Sequence, residues 1–191
     1  MNWKERLKVD LEPILASPDP RTKLSAYHDM PYAIFRYAPE AEFDIRQEID
    51  MLVTRLEIAG KRVTRISLAE CLGAAIEAEG ITIADLLETE ASTGVATMVD
   101  TIHGILGDSC PLVELVAARL PDDQSPIKDI VLLTRTGALF PVYRSHALLE
   151  QLKGRLNVPA VLFYPGDLDG PTGLSFMGAL DPDPNYRPRI F

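Results

Sequence analysis

Asp129-Ile130-Val131-Leu132-Leu133-Thr134 and, further on, Ala160-Val161-Leu162-Phe163-Tyr164 are the two stretches that decide the fold class. Neither alternates apolar with polar residues, so each reads as a strand buried on both faces. Such strands belong to parallel sheets covered by helices on both sides. Parallel neighbours need a crossover connection, and Leu148, Leu149 and Leu152 supply its helix between the two runs.

Working outward, the same alternation of elements recurs. Ala33 to Tyr37 reads as a short buried strand. Pro39 follows at a first helical position, with Glu40 and Glu42 in the first turn, where the helix dipole favours anions. Phe43, Ile45, Ile49, Leu52, Val53 and Leu56 continue that helix as one apolar stripe, and Gly60 closes it. Arg62 to Ile66 reads as the next strand. Ser67 with Glu70, and Thr82 with Asp85, are cap patterns opening further helices. Residues 68–120 are helical throughout in this reading, a crossover or an insertion. At the front, Leu7, Leu11, Ile14 and Leu15 form one face of a helix over residues 4–15, and residues 18–31 read as an ordered linker. At the back, Pro165 to Pro171 reads as the turn that ends the strand begun at Ala160, and Leu174 to Leu180 as a last strand, reached by a short connection and so antiparallel. The prediction is a single α/β domain over residues 1–191. It is an open three-layer, mostly parallel sheet, P-loop- or Rossmann-like, with a helical mid-chain insertion.

Composition fits an ordinary globular chain: of 191 residues, 47% are hydrophobic and 25% charged. Asp and Glu number 28 and Lys and Arg 19, giving a formal charge of -9. Such a surface repels phosphate backbones, so a nucleic-acid-binding module is disfavoured. Split after Val95, the chain holds 11 basic and 17 acidic residues, then 8 and 11, so neither half is a basic arm. Two cysteines, Cys71 and Cys110, are too few for a disulfide scaffold or a CxxC zinc site, and read as small buried hydrophobes. The N-terminal residues alternate charge with apolar side chains and do not form a signal peptide. No stretch approaches a membrane span. A cytoplasmic protein is expected.

In open α/β sheets ligands bind beyond the carboxyl ends of the strands. Three segments leave those ends, 38–43, 135–145 and 165–173. They bring Glu40, Glu42, Arg135, Tyr143, Arg144, His146, Asp167 and Asp169 to one rim. A phosphate cradle needs glycine-rich backbone with free N–H groups at a helix start, and a Lys. Ala38-Pro39-Glu40-Ala41-Glu42 offers the opposite, a missing donor and two carboxylates, and no GxGxxG or GxxxxGK[ST] occurs. Arg144 and His146 flank a helix start and could meet an anion, although most such residues are structural, with Arg144 paired to a carboxylate and His146 packed at the helix start. Asp167 and Asp169 could supply two oxygen ligands to magnesium, although turn chemistry alone explains them. Ser145 reads as an N-cap. His28 and His103 lack partners at metal-ligand spacing. No cofactor and no metal are expected.

Beyond this pattern, the run Leu133-Thr134-Arg135-Thr136-Gly137 followed by Pro141, Tyr143, Arg144, His146, Leu148 and Leu149 resembles the BrxB family of bacterial BREX (bacteriophage exclusion) systems. Val161 to Gly166 with Asp169-Gly170, Asn185-Tyr186-Arg187, and Phe35-Arg36-Tyr37 with Pro39, Glu40 and Arg46 fit the same pattern. Arg36 and Leu168 depart from it, standing where an Asp and an aromatic are usual. The resemblance implies a non-catalytic subunit that works with a PglZ-type, alkaline-phosphatase-like protein and with other BREX components. Its contacts would use the rim or the C-terminal run Tyr186 to Phe191, whose apolar end either docks a partner or finishes the sheet. A magnesium-dependent nucleotide- or phosphate-binding enzyme or switch, using Arg144, His146, Asp167 or Asp169, is the alternative.

Overall fold

A computed structural model describes residues 2–24, 31–169, 173–179 and 188–191, without the side chains of residues 146 and 169. The strands are β1 (Tyr32–Tyr37), β2 (Arg62–Ser67), β3 (Asp129–Thr134), β4 (Ala160–Asp169), β5 (Gly173–Phe176) and β6 (Arg189–Ile190). The helices are α1 (residues 3–16, with a π-helical turn at Leu7–Leu11), α2 (Arg21–Leu24), α3 (Glu42–Ile58), α4 (Leu68–Ala78), α5 (Ile83–Thr93), α6 (residues 95–109, ending in a π-helical turn), α7 (Leu112–Ala117) and α8 (Ser145–Gln151). None is long and apolar enough to cross a membrane among the described residues.

The sheet runs β2-β3-β4-β1-β6, with all neighbours parallel, and β5 pairs antiparallel with the far end of β4. Side chains alternate across it as the pleat requires. Phe35, Leu132, Val161 and Phe163 face α1 and α3 on one side; Ile34, Val131, Leu133 and Leu162 face α4, α6, α7 and α8 on the other. This is the expected three-layer α/β fold.

Polar contacts fix the layers in register. Arg55 of α3 holds Glu12 of α1 through Nε at 2.8 Å and Nη2 at 2.9 Å, seating α1 on the sheet. Tyr32 donates from its hydroxyl to the carbonyls of Leu152 and Leu156, at 3.0 and 3.1 Å, tying β1 to the end of α8; burial pushes that phenol up to about 12. At the amino edge, Arg62 reaches the buried Asp129 carboxylate at 2.6 and 2.7 Å, and the Ser125 amide donates to it at 2.6 Å. Burial alone would raise the Asp129 pKa; the guanidinium and the amide outweigh it and hold the carboxyl below its ordinary value.

Two expectations need correction. Pro165 does not end β4: the strand runs on to Asp169, and Gly166 to Asp169 pair with Gly173 to Phe176. Proline and glycine usually mark turns. Here Pro165 sits at the last rung shared with β1, opposite Tyr37. Gly166 answers a close approach, since a Cβ there would overlap the Ser175 carbonyl oxygen. The last strand stops at Phe176, because Met177 and Gly178 take left-handed backbone at φ 55° and 65°. Within the linker of residues 18–31, Arg21–Leu24 makes one helical turn; residues 25–30 of it lie outside the described set. At the C-terminal end, the sequence left docking and sheet-finishing open. Arg189–Ile190 takes the second course, as a parallel edge strand beside β1.

Candidate functional site

The strand order fixes where a site can form. From β1 the chain passes through α3 on one face of the sheet, and from β3 through α8 on the other. β4 lies between these two strands. Their connections therefore diverge around its carboxyl end and open a crevice there.

One lobe of this crevice, of about 190 Å³, is formed by Pro39, Glu42 and Arg46 from the β1 side, Arg135, Gly137 and Ala138 from the β3 side, and Pro165 and Met177. A second lobe, of about 250 Å³, continues toward β2 between Asp50, Arg65, Glu70 and Thr134, with Arg46 and Arg135 shared by both.

The chemistry of the first lobe follows from the start of α3. Pro39 opens a 3-10 turn there and brings no N–H donor. The Tyr37 hydroxyl donates a short hydrogen bond to Glu42, and Arg46, one turn on, donates to the other oxygen of Glu42 at 2.9 Å. Burial, reinforced by that carboxylate, raises the Tyr37 phenol far above its ordinary value, so it stays a donor. The Arg46 guanidinium also lies 5.1 Å over the Phe43 ring. In the second lobe Arg65 pairs with Asp50, and the Ser67 hydroxyl caps α4 by accepting the Glu70 amide at 3.3 Å. The positive end of α3 and two of the three rim arginines are thus engaged by the protein's own carboxylates.

Arg135 is the exception. It takes left-handed backbone, φ 57° and ψ 37°, which a side chain with a Cβ adopts at a cost. Its Nε is buried without a hydrogen-bond partner, and among the described residues no carboxylate pairs with it. The neighbouring Thr136 hydroxyl is likewise buried and unpartnered.

The remaining candidates fall elsewhere. Tyr143 is buried in the core, its hydroxyl donating to Gln151 at 3.2 Å, and burial raises its pKa. Arg144 is exposed and is itself the N-cap residue of α8, with no side-chain cap bond. Ser145 is therefore the first helical residue rather than the cap, and its hydroxyl is buried without a partner among the described residues. Asp167 lies exposed on the β4–β5 hairpin, 3.9 Å from Arg36 across the β1–β4 ladder. Phe191 is buried against the α1–α3 side, under the Arg189 guanidinium at 4.5 Å. Tyr186 and His28 lie outside the described residues, as do the side chains of His146 and Asp169. His103 donates from Nδ1 to the Val142 carbonyl at 2.9 Å, pinning the segment before α8 to α6. No group of three or more His, Cys, Asp or Glu that could hold a metal occurs among the described residues.

Sequence reasoning did not bring Arg46, Asp50 or Arg65 to the rim, although Arg46 is among the residues that carry the family resemblance. Their signal was the four-residue spacing of Glu42, Arg46 and Asp50, a row along one side of α3 that only the strand order swings over the crevice.

A family model described as BREX protein BrxB matches residues 64–190. This chain belongs to the BrxB family. It is 30% identical to the BREX protein BrxB of Bacillus cereus (strain H3081.97) over 162 residues, 84% of this chain and 82% of that protein. It is 22% identical to the BREX protein BrxB of Escherichia coli O9:H4 (strain HS) over 144 residues, 75% of this chain and 69% of that protein. No solved structure matches it. The BrxB match runs from β2 to β6, so it takes in the crevice except for its β1 and α3 wall.

Proposed function

We propose that this BrxB-family chain is a non-catalytic subunit of a BREX anti-phage defence system in the cytoplasm. It acts as an assembly protein for a PglZ-type partner. One observation carries the reading. At the place where an open α/β sheet grips phosphate, this chain puts a proline and a carboxylate, and that carboxylate is already held by Tyr37 and Arg46. A phosphate arriving there meets no free amide row and a negative charge at close range. The two free cysteines suit a reducing compartment. Co-expression with the PglZ-type protein of the same locus should yield a joint peak in gel filtration; two separate peaks at micromolar concentration would overturn the assignment.

Arg135 favours a second reading, a magnesium-dependent nucleotide- or phosphate-binding switch. A strained residue that holds an unpaired cation at a crevice is a feature of ligand sites. Magnesium-ATP at a hundredfold excess over its dissociation constant would add about 2.7 kcal/mol of stability. A thermal melt unchanged at millimolar magnesium-ATP removes that reading.

A further inference from the structure

The formal charge of the chain is not spread over it. Residues 66–118 contain nine Asp and Glu and no Lys or Arg, while the rest holds 19 of each sign. Residues 66–118, most of the helical insertion, therefore carry the entire net charge of -9, and the remainder is balanced. Of the nine acids, Glu114 alone has an ion partner among the described residues, Arg155 at 2.7 Å. The others are left to solvent or to caps.

Within this acidic insertion α5 is the least covered element. It has no buried residue, and Leu86 is its apolar contact with the core. Its other apolar side chains point outward: Ile83 is 76% exposed and Leu87, one turn further, 61%. Val95, just past the Gly94 corner, is 54% exposed. Glu88 and Glu90 lie on the same helix, exposed. The helix is nevertheless well made, with a reciprocal capping box between Thr82 and Asp85. A stable helix that leaves two of its three large apolar residues in water, beside unpaired carboxylates, is half of an interface.

From this we infer that the outer face of α5, with the start of α6, docks a protein surface whose apolar residues are ringed by Lys and Arg. Charge decides the occupant. A second copy of this chain would bring an equally acidic insertion against the first, and nucleic acid would bring phosphates. A basic protein surface satisfies both the apolar row and the carboxylates. This inference rests on the assembly role proposed above, without requiring that the partner be the PglZ-type protein.

Each other protein of the same BREX locus is titrated against the labelled full chain at about 0.05 M and about 0.5 M salt. Two variants probe the face: Ile83→Gln with Leu87→Gln, and Glu88→Lys with Glu90→Lys. Neither touches a buried side chain, so both keep the wild-type circular dichroism and melting point. Ile58→Gln, at an exposed apolar residue on α3, is the control. One locus protein is expected to bind wild type and the control alike, about tenfold or more weaker to each face variant, and weaker at high salt. If that protein is not the PglZ-type one, the docking face stands and the PglZ assignment falls. If the PglZ-type protein binds but both face variants bind as well as wild type, or salt has no effect, the face is overturned and the assembly role survives. Binding to no locus protein overturns both. Self-association in sedimentation that Ile83→Gln with Leu87→Gln abolishes also overturns the inference, in favour of a second copy.

Discussion

Phe191→Ala separates a core role from a docking role at the C-terminal end. The ring is 7% exposed and packs with the α1–α3 side of the core. The backbone of Phe191 donates to the Ile34 carbonyl at 2.8 Å and accepts from the Arg36 amide at 3.1 Å, and the substitution keeps both bonds. The cost is therefore that of the ring. A phenylalanine buries about 200 Å², of which alanine retains roughly a third, and about 25 cal/mol per Å² gives about 3 kcal/mol. That is the low end of measured Phe→Ala costs, as suits a ring at the sheet edge, where Arg189 can settle into the space. For a chain of this length it corresponds to a melting point lower by about 6–12 °C. Urea unfolding followed by circular dichroism should show the midpoint falling with an unchanged slope. A loss under about 1 kcal/mol, with partner binding abolished, would refute the reasoning and place the ring in an interface.

Other substitutions test the fold's remaining claims. Gly166→Ala drives a methyl into the Ser175 carbonyl and should cost about 3 kcal/mol or more, melting the β4–β5 hairpin before the rest, with amide exchange as the readout. Asp129 has a folded-state pKa below its unfolded value near 3.9, so its contribution is complete above that value and is lost as pH falls through the lowered one. Asp129→Asn should cost about 2 kcal/mol at neutral pH and progressively less below about pH 4, in urea midpoints taken across the acid range. Tyr32 behaves oppositely in sense: its pKa is raised to about 12, so its contribution is complete below the unfolded value near 10 and disappears as pH climbs toward 12. Tyr32→Phe should flatten the alkaline limb of a stability profile, and an unchanged limb contradicts the assignment.

The reach of the sequence varied with how local each signal was. β3 and the first half of β4 were legible because strands buried on both faces must be continuous apolar runs, and Pro39, Ser67 and Thr82 announced helix starts by cap chemistry within a few residues. The rest of β4 was not, because Pro165 and Gly166 are punctuation in isolation; their tolerance in a strand depends on Tyr37 and Ser175, distant in sequence. The rim was half legible. Arg135 and Glu42 follow strands directly, whereas Arg46, Asp50 and Arg65 reach the crevice through the order in which strands pair. Tyr143 was misjudged as a rim residue for the same reason: it follows β3, but His103 and Val142 hold that stretch down against α6.

That strand order has a consequence for synthesis. β1 is made early yet lies between β4 and β6, both of which come from residues 160 onward. On the ribosome its six residues, apolar on both sides, must wait unpaired while α3, β2 and the whole insertion emerge. Non-local pairing of this kind is slow, because the chain must close its longest loop before any bond rewards it. A stalled or prematurely terminated chain would thus expose a bare strand edge rather than a partial domain, and such fragments should be found with chaperones or proteases, not in assemblies.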